Sequence, residues 1–470
     1  MPESMYFRMD CPGFCRYTCL DFVFAVVGVF AYLCDVGSDL SVAAEFYLHG
    51  DFAWFGLVIG LMVLSSTVVH LFSWFWFKYD QELEDFKSQT SAERLLFGGG
   101  GRLKLSLLHA FQLGFLLRHV SAIEQGFGVW WWGEQASYAA YVTHDLSMLR
   151  LLEAFCESAP QLTLLLYIIL QTGHARTMQS VSVCASSFSV AWTVVMYHRS
   201  LRRFLPQKAQ QRWGASAVYF LWNLLLITPR LAALALFASA LPCPAPAHFL
   251  CLWPALFLWA WLQRTSFMDS AGGEWLYRGA VATIWYFSWF NVAEGRSRGR
   301  GLIYHALMMT DSGILLGAWW GLRGAGLQQA YAVGVVIALP SAYLLGLLLK
   351  GLYYAYLHPK LRPLPAGEVP KLRPLPAGED PKLRPLPAGE EPKLCPLPAG
   401  EGPKLRPLPA REEDVPDGDT PFRSRPPQPG PSPSKLCNQR MARLASIFYT
   451  PLPVLPYARQ PIRASPNGII

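Results

Sequence analysis

Three aspartates stand where hydrocarbon would otherwise surround them. In CLDFVFAVVGVFAYLCDVGSDLSVAAE, residues 19–45, Asp21, Asp35 and Asp39 interrupt a run long and apolar enough to span a bilayer. At 100° per residue they fall within about 40° of one another on a helix, forming one acidic stripe. A carboxylate inside hydrocarbon costs roughly 3 kcal/mol or more, so such residues face a partner or a wet cavity. A second polar face lies in LRLLEAFCESAPQLTLLL, residues 149–166, where Arg150, Glu153, Glu157 and Gln161 share one side of a helix. Pro160 in that segment removes a backbone donor and can kink it. Arg118, Arg230 and Asp311 each sit well inside a further apolar segment.

Such groups do no covalent chemistry by themselves. They either pair as buried struts that fix helix register, or they line a hydrophilic pathway for a charged solute or a lipid headgroup. A row of paired charges can be both. The chain has no Walker motif, HExxH, catalytic-triad spacing or Gly-rich dinucleotide loop, so an ATP-driven machine or a conventional enzyme is disfavoured. No cofactor or metal is expected: the ten cysteines are scattered without CxxC spacing, and His109 and His119 read as core or interfacial.

The elements that must position these charges are membrane helices. The chain has 470 residues, 52% hydrophobic and only 15% charged, with 17 Trp and 28 Phe, more than a soluble surface hides easily. No cleavable signal peptide is evident; the first apolar segment reads as its own insertion signal. Ten apolar segments are legible: 19–47, 52–77, 105–124, 146–171, 180–198, 215–240, 249–267, 275–292, 302–322 and 330–356, with an interfacial aromatic cluster at Trp130–Trp132. The positive-inside rule puts the basic loop 199–212, the Arg296/Arg298/Arg300 loop and the tail in the cytoplasm, and 78–104 with them. An even number of crossings must separate loops on one side, yet three apolar segments lie between each successive pair. One of each three must not cross. The most polar, 105–124, and the shortest, 275–292, are the candidates. The expectation is an all-α polytopic protein with eight transmembrane helices, two re-entrant helices, two pseudo-symmetric halves and both termini inside.

After residue 357 the character changes. PKLRPLPAGEx recurs with period 11 from Pro359, Pro370, Pro381, Pro392 and Pro403, with Cys395 replacing Arg in the fourth copy. Such copies suit an extended polyproline-like spacer. Three regions follow: a membrane domain over 1–357, a spacer over 358–411 and a regulatory tail over 412–470. The tail ends in NQRMARLASIFYT, 438–450, compatible with a short amphipathic helix, and apolar PLPVLPY. The net charge of +8 suits basic loops and tail against anionic lipid, and nothing suggests nucleic acid.

CDVGSDLSVAAEFYLHGDFAWF, LFSWFWFKYD, LRLLEAFCESAPQLTLLLYIILQ, YHRSLR and MMTDSGILLGAWWG together resemble the XK-related protein family, and most of all its caspase-activated phospholipid scramblase branch. The resemblance covers about residues 15–357. It implies the same eight spanning and two half-buried helices, in the plasma membrane. It also implies energy-independent, bidirectional phospholipid movement that exposes phosphatidylserine on dying cells. The family's pathway and structural charges would fall on Asp21, Asp35, Asp39, Arg118, Arg150, Glu153, Glu157, Arg199, Arg230 and Asp311, and its outer aromatic gate on Trp54. One departure is Met196, where the family has an acid just before the YHR string. The resemblance further implies a single-span immunoglobulin-like chaperone of the basigin type for surface delivery.

A switch is also expected. Asp414-Val415-Pro416-Asp417-Gly418 has the D-x-x-D-small pattern of an executioner-caspase site, and within this family such a place is cut. Cleavage after Asp417 would release 418–470, whose apolar part could pack in a cytoplasmic cleft and hold the closed state. The charges alone also fit a secondary transporter or channel for a small charged solute, or a non-transporting membrane partner protein.

Overall fold

The computed structural model describes residues 17, 19–81, 88, 90–97, 101–133, 136–203, 211–293, 297–322, 329–358 and 440. All of these belong to one compact unit. Among them every regular element is helical. The repeat array and the candidate caspase site, Asp414, Asp417 and Gly418, lie outside the described residues.

The first apolar run forms α1 (Cys19–Leu48) and the second α2 (Phe52–Gln81), joined by a tight turn in which Gly50 has φ of 78°. Between α2 and the next long span lie α3 (Ser91–Phe97), α4 (Gly101–Ala110) and α5 (Gly114–Phe127). The segment 105–124 is thus two helices, broken where Gln112 adopts φ of 59°. A π-turn, Gly128–Trp132, then exposes Trp130, Trp131 and Trp132.

Next, α6 (Ala136–Glu153) runs through a second π-turn (Ala154–Ser158) into α7 (Ala159–Thr172). Pro160 explains the irregularity. It has no N–H to donate back along the helix, and a π-turn absorbs the mismatch while re-aiming the side chains within it. Those side chains include Glu157 and Ser158. α8 (Thr177–Arg203) and α9 (Trp213–Ala240) follow, then α10 (Pro244–Leu262), α11 (Ala271–Phe287), α12 (Ser297–Leu322) and α13 (Gln329–Leu352), which ends in a π-turn at Tyr353–Leu357. α9 is central to its half and packs on α7, α8, α12 and α13, while α10 packs on α11.

Seven of these helical runs are long and apolar enough to cross a membrane: Cys19–Leu48, Phe52–Gln81, Tyr138–Thr172, Thr177–Arg202, Trp213–Ala240, Pro244–Leu262 and Tyr331–Leu357. α12 has 26 residues, but Tyr304, His305 and Asp311 dilute its apolar run. The chain is therefore a multi-pass membrane protein by the length and composition of its helices.

Burial follows the inverse of a soluble protein's pattern. On α1, Leu20, Val23, Val26, Val27, Phe30 and Leu33 face outward, whereas Asp21, Asp35 and Asp39 are buried. The same inversion places Arg118, Glu153, Glu157 and Arg230 inside. Exposed aliphatic faces of this extent are stable in lipid and not in water. An aromatic core that includes Phe72, Trp76, Phe115, Phe155, Tyr277 and Trp285 packs between the helices.

Candidate functional site

The charged residues inside the bundle separate into two kinds of cluster. The first kind is ion-paired. Arg230 on α9 is 2% exposed and donates from Nη1 to Asp311 Oδ2 on α12 at 2.5 Å and to Ser312 Oγ at 3.0 Å. Its Nε donates to the Tyr286 carbonyl on α11 at 3.2 Å. His248 on α10 places Nε2 3.1 Å from Asp311 Oδ1 and Nδ1 2.8 Å from Tyr286 Oη. One carboxylate thus ties α9, α10 and α12 together, with α11 joined through Tyr286.

In the other half, Arg118 on α5 donates from Nη1 to Asp145 Oδ2 on α6 at 2.9 Å and from Nε to Ser73 Oγ on α2 at 3.0 Å. Its guanidinium carbon lies 3.7 Å from the centre of the Phe77 ring. A residue of the tail completes this network. Arg440 Nη1 donates to Asp80 Oδ1 at 2.9 Å, and Nη2 donates to Asp145 Oδ2 at 2.8 Å and Tyr141 Oη at 3.2 Å. The Tyr141 hydroxyl itself donates to Asp80 at 2.6 Å, and the Arg440 guanidinium stands 5.2 Å over Trp76. Two buried carboxylates therefore face two guanidiniums, one of them brought from the end of the chain.

The second kind of cluster is held by hydroxyls. Asp35 on α1 accepts from Ser158 Oγ at 3.0 Å and from Ser186 Oγ on α8 at 3.4 Å. Asp39, 1% exposed, accepts from Ser182 Oγ at 3.4 Å. Glu157 accepts from Ser65 Oγ on α2 at 2.8 Å. Neither Asp35, Asp39 nor Glu157 forms an ion pair among the described residues. Nearby, Arg150 pairs with Glu153 one turn along and stands 5.4 Å from the Tyr32 ring centre. Serine hydroxyls can rotate and re-bond, so these acids keep lone pairs available for a passing cation, which the ion-paired acids do not.

Of these acids Asp35 lines a cavity of about 490 Å³ between α1, α5, α6 and α8. Asp21, Asp35, Arg150 and Arg199 line it, with Phe24, Phe30, Phe188 and Trp192 among its apolar walls. Phe30 and Phe188 are also on the outer, lipid-facing surface, so the cavity opens sideways. Met196, the departure noted in the sequence, is on its wall. Arg199 donates to Ser216 Oγ at 2.6 Å and to the Gln211 carbonyl at 3.1 Å, and rests over Trp213. Glu153 and Glu157 open on a neighbouring space of about 260 Å³. Arg118, Arg230 and Asp311 line neither space. Trp54 packs edge-on to Tyr167 with ring centres 5.7 Å apart, at the end of α2 next to the Gly50 turn.

The row has the right length. Asp21 and Asp39 are 18 residues apart, about 27 Å at the helical rise, close to the thickness of a hydrocarbon core. Asp35 and Arg150 stand at intermediate depth on the same cavity wall. Asp21, Asp35, Arg150 and Arg199 thus place both signs of charge along one cavity wall.

Sequence reasoning missed Asp80, Asp145, Arg440, His248 and the serine hydroxyls. Asp80 closes the quoted string LFSWFWFKYD and Asp145 immediately precedes the run that begins at residue 146, so both were legible as acids at helix ends. Nothing in composition pairs Arg440 with Asp80, 360 positions away.

Comparison with known proteins agrees with the fold. A family model described as XK-related protein matches residues 23–359. XK-related protein 8 of Gasterosteus aculeatus is 50% identical over 443 residues, covering 94% of this chain and 100% of that protein. XK-related protein 8 of Tetraodon nigroviridis is 51% identical over 444 residues, covering 94% and 99%. The Pan troglodytes protein of the same name is 43% identical over 348 residues, covering 72% and 84%. The chain belongs to the XK-related protein family.

Proposed function

We propose that this protein is a plasma-membrane phospholipid scramblase that exposes phosphatidylserine during apoptosis and performs no covalent chemistry. The observation that carries the reading is the laterally open cavity in which Asp21, the hydroxyl-held Asp35, Arg150 and Arg199 stand along a mostly apolar wall. A phospholipid headgroup crossing hydrocarbon loses its water at a cost of many kcal/mol. Asp21, Asp35, Asp39, Arg150, Glu153, Glu157 and Arg199 substitute for that water stepwise. The protein lowers a barrier and supplies no driving force, so lipid flows down its own gradient. The topology that suits this reading has eight crossings, α12 being the eighth, with the α4–α5 pair and α11 re-entrant, two pseudo-symmetric halves and both termini in the cytoplasm. Trp54 serves as the outer gate. A basigin-type single-span chaperone delivers the protein to the surface.

The resting state is held by the tail. Arg440 supplies the cation that Asp80 pairs with and shares Asp145 with Arg118. Cutting after Asp417 by an executioner caspase, with Asp414 and Gly418 completing the recognised sequence, frees the segment that carries Arg440. Removing one partner of a buried pair leaves an uncompensated charge worth about 3–5 kcal/mol. That penalty falls on Asp80 and Asp145, between α2 and α6, and favours a rearrangement of those helices. Annexin binding to scramblase-deficient cells expressing the chain, with and without caspase activation, tests the reading. Exposure only after activation is expected. Exposure without activation removes the switch, and no exposure despite surface expression removes the scramblase.

A further inference from the structure

We propose that the second half of the protein holds an anionic lipid in a separate cavity that the acidic row does not reach. This cavity, about 570 Å³, lies among α8, α9, α11, α12 and α13, with Leu151 of α6 and Phe155 of the following π-turn closing it on the side of the first half. Its charged and titratable lining is His198, Arg298, His305, Lys350 and His358, and no carboxylate lines it among the described residues. The cavity beside α1, by contrast, mixes Asp21 and Asp35 with Arg150 and Arg199. A one-signed lining selects an anion.

The local bonding leaves donors to offer. Lys350 Nζ is 2.8 Å from His305 Nε2. With Lys350 as an ammonium, which only donates, that nitrogen accepts and the His305 proton sits on Nδ1, 2.9 Å from Tyr343 Oη. Lys350 therefore rests against a neutral imidazole and has no carboxylate partner among the described residues. Its other contact is the Trp222 ring, whose centre is 5.0 Å from Nζ. The Trp222 Nε1–H is buried, belongs to a residue 6% exposed on the cavity wall, and finds no acceptor. A half-buried lysine without a carboxylate partner among the described residues and a buried donor without an acceptor both point to an oxyanion.

The rest of the wall combines apolar and aromatic side chains, including Phe155, Trp289 and Leu302, with the neutral polar Asn223, Ser288, Asn291 and Ser297. Leu302 and Tyr354 of this lining are also exposed on the outer surface of the bundle. That continuity gives an acyl chain an exit from the cavity into the bilayer, which a free phosphate does not need. The occupant is thus a lipid with an anionic headgroup, seated with its phosphate or carboxylate on Lys350 and Trp222.

The test uses the full-length protein, delipidated in detergent, and native mass spectrometry with three probes: dioleoyl phosphatidic acid, dioleoyl phosphatidylcholine and inorganic phosphate. Phosphatidic acid adducts are expected to exceed phosphatidylcholine adducts about tenfold. Lys350→Met is expected to erase that preference with phosphatidylcholine adducts unchanged, and Lys350→Arg to keep it. Trp222→Phe, which retains the ring and removes the donor, should weaken the preference about threefold and tests the site should Lys350→Met not fold. Equal preference in wild type, Lys350→Met and Trp222→Phe overturns the site. Loss of the phosphatidic acid adduct on adding inorganic phosphate overturns the lipid assignment in favour of a free anion. Neither readout depends on lipid movement, so the outcome is separate from that of the scrambling assay.

Discussion

Two acids within the helix bundle, half-buried Asp311 and buried Asp35, live under different rules. Asp311 is locked by a guanidinium at 2.5 Å and an imidazole at 3.1 Å, and its network joins the helices of the second half. Among the described residues the Asp35 carboxylate is bound by two serine hydroxyls, at 3.0 and 3.4 Å, on the wall of a cavity. A fully paired charge is spent on structure. A charge held by rotatable hydroxyls is structurally tolerated and still available. Charged residues in this bundle are thus sorted by their partners, not by their depth, and on the proposed function that sorting separates struts from pathway.

The sharpest way to break the contrast is to cut a strut. Arg230→Ala leaves Asp311 without its guanidinium and should cost about 3–5 kcal/mol. The expected result is loss of surface protein by cell-surface biotinylation. Normal surface protein with slowed lipid movement would put Arg230 in the pathway instead.

The tail strut differs from the others in that the proposed cleavage would remove it. Arg440→Ala takes away the cation of Asp80 and shifts the resting equilibrium by an energy on the order of 3 kcal/mol. Phosphatidylserine exposure without caspase activation, read by annexin binding, is the expected outcome. An Asp417→Ala chain that exposes phosphatidylserine normally in apoptotic cells would contradict the switch from the other side.

Smaller effects probe the pathway. Asp35→Asn keeps an acceptor for Ser158 and Ser186 but loses the charge, so thermal stability should change by about 1 kcal/mol or less while lipid movement falls about tenfold. Ser182→Ala removes one hydroxyl from Asp39 and should alter the lipid-movement rate about two- to threefold, with surface level unchanged. A larger loss of surface protein for Asp35→Asn than for Arg230→Ala would invert the comparison.

Much of this was legible in the sequence, and the failures have physical causes. The apolar runs at 19–47 and 52–77 became α1 and α2 with nearly those ends, because hydrocarbon dictates both composition and length. The acidic stripe was legible because helical periodicity is fixed. The break at Gln112 was not, because a positive φ at a non-glycine residue has no compositional signature. The run read as 146–171 begins at Ala136, since Tyr138, Tyr141, His144 and Asp145 look like surface residues until the partners that bury them are known. The same limit hid the pairing of Arg118 with Asp145. Which charges are struts depends on side chains from distant helices, and for Arg440 on a segment beyond a proline-rich spacer.

The most direct test of the pathway is lipid movement in vesicles. Caspase-treated protein is reconstituted with fluorescent phosphatidylserine or phosphatidylcholine, and dithionite bleaching of the outer leaflet is followed for wild type and for Asp35→Asn/Asp39→Asn. Wild type should render most of the label bleachable, and the double variant, incorporated at the same level, should slow the step at least about tenfold. A double variant that moves lipid at the wild-type rate would show that the hydroxyl-held acids are not the path.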